Sequence, residues 1–283
     1  MPELPECERG RKVLEQAAKG RTISRVTAAE DEIVFDGIQP KAFARALVGR
    51  TATGTGRRGK YIWLVLDQGP AALFHFGMTG AFEVPGGDHL VLESDPKATP
   101  ANTPLPEWPP RFTKVHFFFD DGGELVMTNK RRLGRIRLID DPLGEEPIAS
   151  LGFDPLLDPP SPTDFSAMLE KRKGTIKGVL LDQGFAAGVG NWIADEVLYQ
   201  AKIDPRRRAC DLDTGEVRRL RSKLLAIIER ACAVDADKAR LPKTWLFHHR
   251  WGKVAGAKTS KGEAIESMTV AGRTTAWVPE VQG

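Results

Sequence analysis

The sequence predicts an α+β chain of two domains: an N-terminal β-sandwich entered by one helix, then a helical domain that ends in a β-hairpin. Three observations carry this. Six short runs rich in Val, Ile, Phe, Tyr and Trp crowd residues 61–140, separated by Gly, Pro or Asp-Asp-Gly-Gly turns. After Asp140 the apolar residues recur at helical spacing. From Trp251 onward strand-like residues return. The 283 residues suit one large or two medium domains. The expected divisions are a sandwich domain over 1–141, a linker over 142–160, a helical domain over 161–240 and a hairpin region over 241–283.

Each element has a local reason. A helix over 5–18 has Pro5 in its first turn, Glu6 and Glu8 near its positive end and Gly20 just past its close. The strands are YIWLVL (61–66), ALFHFGM (72–78), AFEV (81–84), KVHFFF (114–119), ELVMTN (124–129) and RIRLID (135–140). The proline-crowded stretch 85–111 reads as a long surface loop. Residues 140–162, rich in Pro and Asp, read as a connection between domains. A helix starts at Ser161 or Asp164 and runs to Lys173; a short one covers Thr175–Asp182, and another covers Asn191–Ala201. Asp213 and Glu216 have capping-box spacing at the head of a long helix to Ala233, whose apolar stripe is Leu220, Leu224, Ile227, Ile228 and Ala231. ESMTV and TTAWV around Ala-Gly-Arg form a hairpin.

Composition excludes several classes. No run approaches the roughly 18 apolar residues of a membrane span, and no basic-then-apolar leader opens the chain. Three scattered cysteines, Cys7, Cys210 and Cys232, argue against a disulfide framework and a cysteine-rich metal site, so reduced thiols in an intracellular protein are expected. Net charge is only +3, but basic residues cluster at 57–60, 130–137, 171–173 and 206–208. Such clusters suit either one nucleic-acid-binding face or ordinary solvated loops.

Two stretches could carry chemistry. In LLDQGFAAGVGNWIADEVLYQAKIDP (180–205), a glycine-rich turn opens a helix at Asn191, and exposed amides there would suit a phosphate oxygen. A plain helix–helix turn would look the same. The opening MPELPE reads as a helix lead-in, but it has a second meaning. If Met1 is removed, Pro2 presents a secondary amine whose pKa, roughly 8, leaves a useful fraction unprotonated. Such an amine can attack the anomeric carbon of a deoxyribose and form an iminium ion. Glu3 beside it could move protons.

These pieces occur together and in order: MPELPE, RRGKYIWL (57–64), FHFGMTG (74–80), NKRRLGRIRL (129–138), the LLDQGFAAGVGNWIADEVLYQA segment and GRTTAWVPE. The constellation resembles the formamidopyrimidine-DNA glycosylase and endonuclease VIII family of base-excision repair enzymes, and within it the plant and fungal branch. The resemblance implies a helix–two-turn–helix domain and a bifunctional glycosylase and AP lyase that excises formamidopyrimidines and oxidised guanines from duplex DNA. Its implied roles are Pro2 as Schiff-base nucleophile, Glu3 as the acid in sugar-ring opening, Glu6 as a supporting carboxylate, Lys60 in β-elimination and Arg273 in δ-elimination. It implies DNA contacts for Asn191, His75, Arg172 and Lys177, and void filling by Met78, Arg131 and Leu133 where the nucleotide is everted. The partner is damaged double-stranded DNA, with no membrane, and the protein is expected as a monomer. The compartment is the nucleus in a eukaryote, or the cytoplasm and nucleoid in a bacterium.

Departures from the family pattern shape the expectation. The third void-filling position, often phenylalanine, is Leu133, and Lys114 stands where bacterial members carry histidine. Bacterial members bind zinc in the hairpin through four cysteines. Here the last two ligand positions read Val278 and Val281, so no cofactor and a zincless finger held by Val270, Trp277 and Val278 are expected. The stretch VDADKARLPKTWLFHHR is shorter than the bacterial region that covers an everted 8-oxoguanine, which implies weak activity on that lesion. Competing readings are a damaged-DNA-binding protein that does not cut, and a small-molecule enzyme, which leaves the basic clusters without a purpose.

Overall fold

The computed structural model describes residues 1–87, 107–252 and 254–283. It divides into two compact units, Met1–Ser150 and Leu151–Gly283. The expected linker over 142–160 straddles that division, with Ile148 and Phe153 buried.

The first unit opens with α1 (Leu4–Ala18), one residue earlier than expected, because Glu3 and Glu6 form a reciprocal capping box around its first turn. Then follow β1 (Ile23–Ala28), α2 (Pro40–Leu47), β2 (Ala52–Arg58), β3 (Tyr61–Leu66), β4 (Ala71–His75), β5 (Ala81–Glu83), β6 (Thr113–Phe119), β7 (Glu124–Thr128) and β8 (Arg135–Ile139). They build two four-stranded antiparallel sheets, ordered β1-β6-β7-β5 and β2-β3-β4-β8. Leu14, Phe43, Phe74, Phe82, Phe117 and Met127 share one buried core. The six strands expected over 61–140 are present; β3 has the expected bounds, and the others begin or end a residue or more away from theirs. The elements before them carry weak signals. β1 exposes Ser24, Arg25 and Thr27, and β2 contains Gly54 and Gly56, which have little strand propensity. The loop expected over 85–111 falls mostly on 88–106, outside the described residues.

The second unit contains α3 (Pro162–Glu170), α4 (Ile176–Leu181), α5 (Asn191–Ala201) and α6 (Thr214–Ala233), followed by the hairpin β9 (Glu266–Val270) and β10 (Arg273–Trp277) and a last turn, α7 (Pro279–Gln282). Ser161 and Thr175 cap α3 and α4 through their hydroxyls, and Asp213 with Glu216 forms the capping box of α6. α5 is buried along almost its whole length, so the other elements assemble around it. Phe153, Phe165 and Phe185 form an aromatic cluster in the same unit. The hairpin turns on Ala271 and Gly272, both at positive φ, as a tight right-twisted turn requires. Among the described residues, no helix is long and apolar enough to cross a membrane.

One close approach sets the seat of α1. A Cβ added at Gly10 would lie 2.5 Å from the ring of Phe76, itself almost wholly buried. In an open helix Gly→Ala is stabilising. Here Gly10→Ala should instead destabilise the protein by about 1–3 kcal/mol, the usual range for overpacking, as measured by denaturant unfolding.

Candidate active site

The first turn of α1 brings the chain terminus into a charged pocket of the first unit. Pro2, Glu3 and Glu6 are all buried. Glu6 accepts the Glu3 N–H at 2.9 Å, which holds the two carboxylates on one turn. Burial lowers the pKa of the Met1 amine; Glu3 and Glu6 act to raise it, and Lys60 and Arg131 to lower it further. The groups that feel the amine most are therefore residues expected in the site from three separate parts of the chain. Glu6 is pushed up to about 7, by burial first and then by the neighbouring Glu3 charge. It is about half protonated near neutral pH.

Lys60 sits at the turn between β2 and β3, where Gly59 takes positive φ. Two contacts press that turn against α1. The thiol of Cys7 donates to the Lys60 carbonyl at 3.7 Å. Arg57, only 3% exposed, donates to Glu8 Oε2 at 2.8 Å and to the Gly59 carbonyl at 3.0 Å. The sequence counted Arg57 within a basic cluster; the structure makes it a buried strut. Its strand position, pointing inward from β2 opposite a glutamate one helical turn beyond Leu4, was the available signal.

His75 pairs with Tyr61 across β3 and β4, their rings 4.8 Å apart. Its Nδ1 accepts the Gly77 N–H at 3.2 Å. Burial, with Lys60 and Arg135 adding to it, lowers its pKa to about 4, so it is neutral at physiological pH. A cationic grip on phosphate is thus closed to it, although a neutral imidazole can still donate. Met78 is half-buried, while Arg131 and Leu133 are exposed on the neighbouring loop.

In the second unit, Asn191 at the head of α5 donates from Nδ2 to the Thr274 carbonyl at 2.9 Å. That sets it beside the exposed Arg273 at the start of β10. Asn191 Oδ1 is buried without a hydrogen-bond partner. Arg172 is half-exposed and paired with Asp182 at 2.9 Å.

Lys177 corrects an expectation. It is wholly buried, its ammonium donating to Asp195 at 2.6 Å and to Thr275 Oγ1 at 2.7 Å, so it cannot reach a phosphate. Asp195 also takes Arg250 at 2.6 Å and the Ala276 N–H at 3.1 Å. This ionic hub ties α4, α5, the segment before the hairpin and β10 together. The basic run 206–208 is likewise committed: Arg206 pairs with Asp204 and covers the Trp277 ring, and Arg207 pairs with Glu216. From sequence it suits either a nucleic-acid patch or a solvated loop, and each charge has an acidic partner within reach.

The hairpin base is apolar. Val278, wholly buried, packs with Tyr199, Leu246 and Ala276, and Ile265 and Val281 close the cluster. Val270 and Trp277 are buried too. Valines offer no donor atoms, so the residues in the last two ligand positions do not fit zinc. Tyr199 adds a hydrogen bond to Glu263, which Thr259 also holds.

Two outcomes follow. Lys177→Met should cost about 3 kcal/mol, since it strips a partner from a buried ion pair, while the salt dependence of DNA affinity keeps its slope, because no phosphate contact is lost. Between about 4.5 and about 7 the folded chain holds a Glu6 proton that the unfolded chain has released. The Glu6 contribution to stability should therefore be full below about pH 4.5 and be lost as pH rises to about 7. Glu196, also raised to about 7, acts in the same direction and His75, lowered to about 4, opposes it. The check is therefore the difference from Glu6→Gln, relative to which the parent's unfolding free energy should fall across that window.

Comparison with known proteins accords with this geometry. Residues 1–136 match the formamidopyrimidine-DNA glycosylase N-terminal domain, and residues 151–243 match the formamidopyrimidine-DNA glycosylase H2TH domain, the helix–two-turn–helix. The chain is 43% identical over 282 residues to a formamidopyrimidine-DNA glycosylase of Arabidopsis thaliana, covering all of this chain and 71% of that one. It is 32% identical to one of Geobacillus kaustophilus over the whole of both chains. A crystal structure of Lactococcus lactis Fpg with DNA containing an abasic site superposes with a TM-score of 0.80 at 26% identity, over 99% of each chain. With its N-terminal sandwich, its H2TH domain and this extent of identity, the chain belongs to the formamidopyrimidine-DNA glycosylase family.

Proposed function

We propose that this protein is a bifunctional DNA glycosylase and AP lyase that excises formamidopyrimidines and oxidised guanines from duplex DNA. The observation that carries the reading is that the chain-terminal amine is buried beside Glu3 and Glu6 and also feels the charges of Lys60 and Arg131. Removal of Met1 would hand that role to Pro2, already buried in the same turn. A depressed amine pKa raises the fraction of free nucleophile.

The target nucleotide leaves the stack before attack. The Pro2 nitrogen bonds to C1′ as the C1′–N bond to the base breaks, and the base leaves with that electron pair and gains a proton. Glu3 protonates the ring oxygen as the sugar opens to an iminium. The iminium acidifies the 2′ proton; its loss, assisted by Lys60, expels the 3′ phosphate. A second elimination, assisted by Arg273, expels the 5′ phosphate. Water then releases Pro2. Asn191 and Arg273 hold phosphates, and Met78, Arg131 and Leu133 fill the gap in the duplex. No step calls on a metal.

Borohydride should trap a covalent adduct with abasic duplex DNA, and mass spectrometry should locate it on Pro2 with Met1 absent. Pro2→Gly should bind DNA with near-unchanged affinity while cleavage falls by at least about a hundredfold, in line with loss of a nucleophile. An adduct that never forms on protein verified to lack Met1 would leave a damage-binding protein without lyase chemistry.

A further inference from the structure

Met78 lies on the loop Phe76–Gly80, and Arg131 and Leu133 lie on the loop Asn129–Gly134. What joins the two loops is Asn129, which is wholly buried. Its Nδ2 donates to the Phe76 carbonyl at 2.9 Å, and its Oδ1 accepts the Gly134 N–H at 3.1 Å. Its own N–H donates to the Phe112 carbonyl at 3.0 Å. Glycines make room for the amide: a Cβ at Gly80 or Gly134 would lie 2.8 or 2.5 Å from Nδ2. The loops also run backbone against backbone, since a Cβ at Gly77, with φ +61, would lie 2.3 Å from the Leu133 carbonyl. A second fastening closes the outer edge, where the Arg131 N–H donates to Thr79 Oγ1 at 3.2 Å. Arg132, between the two exposed residues, is drawn to Asp31 by a bidentate pair.

We propose that Asn129 and Thr79 are positioning residues that hold Met78, Arg131 and Leu133 as one preset wedge before DNA arrives. The Phe76 carbonyl and the Arg131 N–H are each fastened to the opposite loop, and the Gly134 N–H is fastened to Asn129 within its own. A buried amide that loses a partner carries a full desolvation cost, so the frame resists opening. A wedge ordered in advance avoids the ordering cost at the moment of binding. The inference rests on the void-filling role proposed above.

Thr79→Val keeps the side-chain shape and removes only the acceptor for the Arg131 N–H. Its single-turnover cleavage of an abasic duplex should fall about tenfold, about 1.4 kcal/mol by the standard conversion. Thr79→Ser should stay within about twofold of the parent, about 0.4 kcal/mol on the same conversion. Borohydride trapping on single-stranded abasic DNA, which has no opposite base to displace, should be unchanged in both. Asn129→Asp, which loses the donor to Phe76 but keeps the acceptor for Gly134, should show the same split with a larger loss on duplex. Equal losses on single and double strands, or no loss on duplex, would overturn the proposal. A 2-aminopurine opposite the abasic site reads the wedge without chemistry, and its fluorescence rise on binding should shrink in Thr79→Val and return in Thr79→Ser. If the parent protein proved inactive on abasic DNA, the lyase reading would fail, and this fluorescence contrast would still decide the wedge.

Discussion

The buried pair of Glu8 and Arg57 is the contact on which the N-terminal site depends. A terminal amine on a free strand would sample many positions, and positioning is worth several kcal/mol of a reaction barrier. Here the strand is the lead of a helix, and the helix is locked to a hairpin by an ion pair that has further hydrogen-bond partners. Arg57 satisfies the Gly59 carbonyl as well as Glu8, and Glu8 also receives Arg11 at 2.8 Å. Such added hydrogen bonds are what a buried ion pair needs to offset its desolvation. Because Gly59 precedes Lys60, the same strut that seats α1 also seats the lysine.

The electrostatics follow from that seat. Burial pushes the Glu6 carboxyl up to about 7 and the His75 imidazole down to about 4. Both shifts favour neutral groups around an amine that burial also keeps from charging. Lys60 is the cation that acts on both groups, lowering the amine alongside Arg131 and His75 alongside Arg135. An amine held back from charging, a carboxyl that can hold or give up a proton at neutral pH, and a cation are thus brought together at the start of α1.

The second unit solves a different problem. Its hairpin must present Arg273 beside Asn191, and the apolar cluster around Val278 supplies cohesion without direction. Direction comes from the hub of Lys177, Asp195 and Arg250, because hydrogen bonds to Thr275 Oγ1 and the Ala276 N–H fix β10 in register on α5. Asn191 adds its own bond to Thr274. A metal site would give both cohesion and direction at once; here two sets of side chains share the work.

Local chemistry was legible in the residues alone. The capping box at Asp213–Glu216, the strands with dense β-branched and aromatic content, the Gly-Asn helix start and the Ala-Gly hairpin turn act over a few residues, so spacing reveals them. β1 and β2 were hidden because their residues pair only through partners supplied elsewhere in the sheets. The site was legible as an ordered set of motifs, but not which charges face outward. Lys177, Arg57 and Arg206 read as the same cation on paper, yet tertiary structure buries the first two against Asp195 and Glu8 and lays the third over Trp277. A charge is spent on whichever partner lies nearest in space, and for Lys177 and Arg57 that partner is 18 and 49 residues away along the chain.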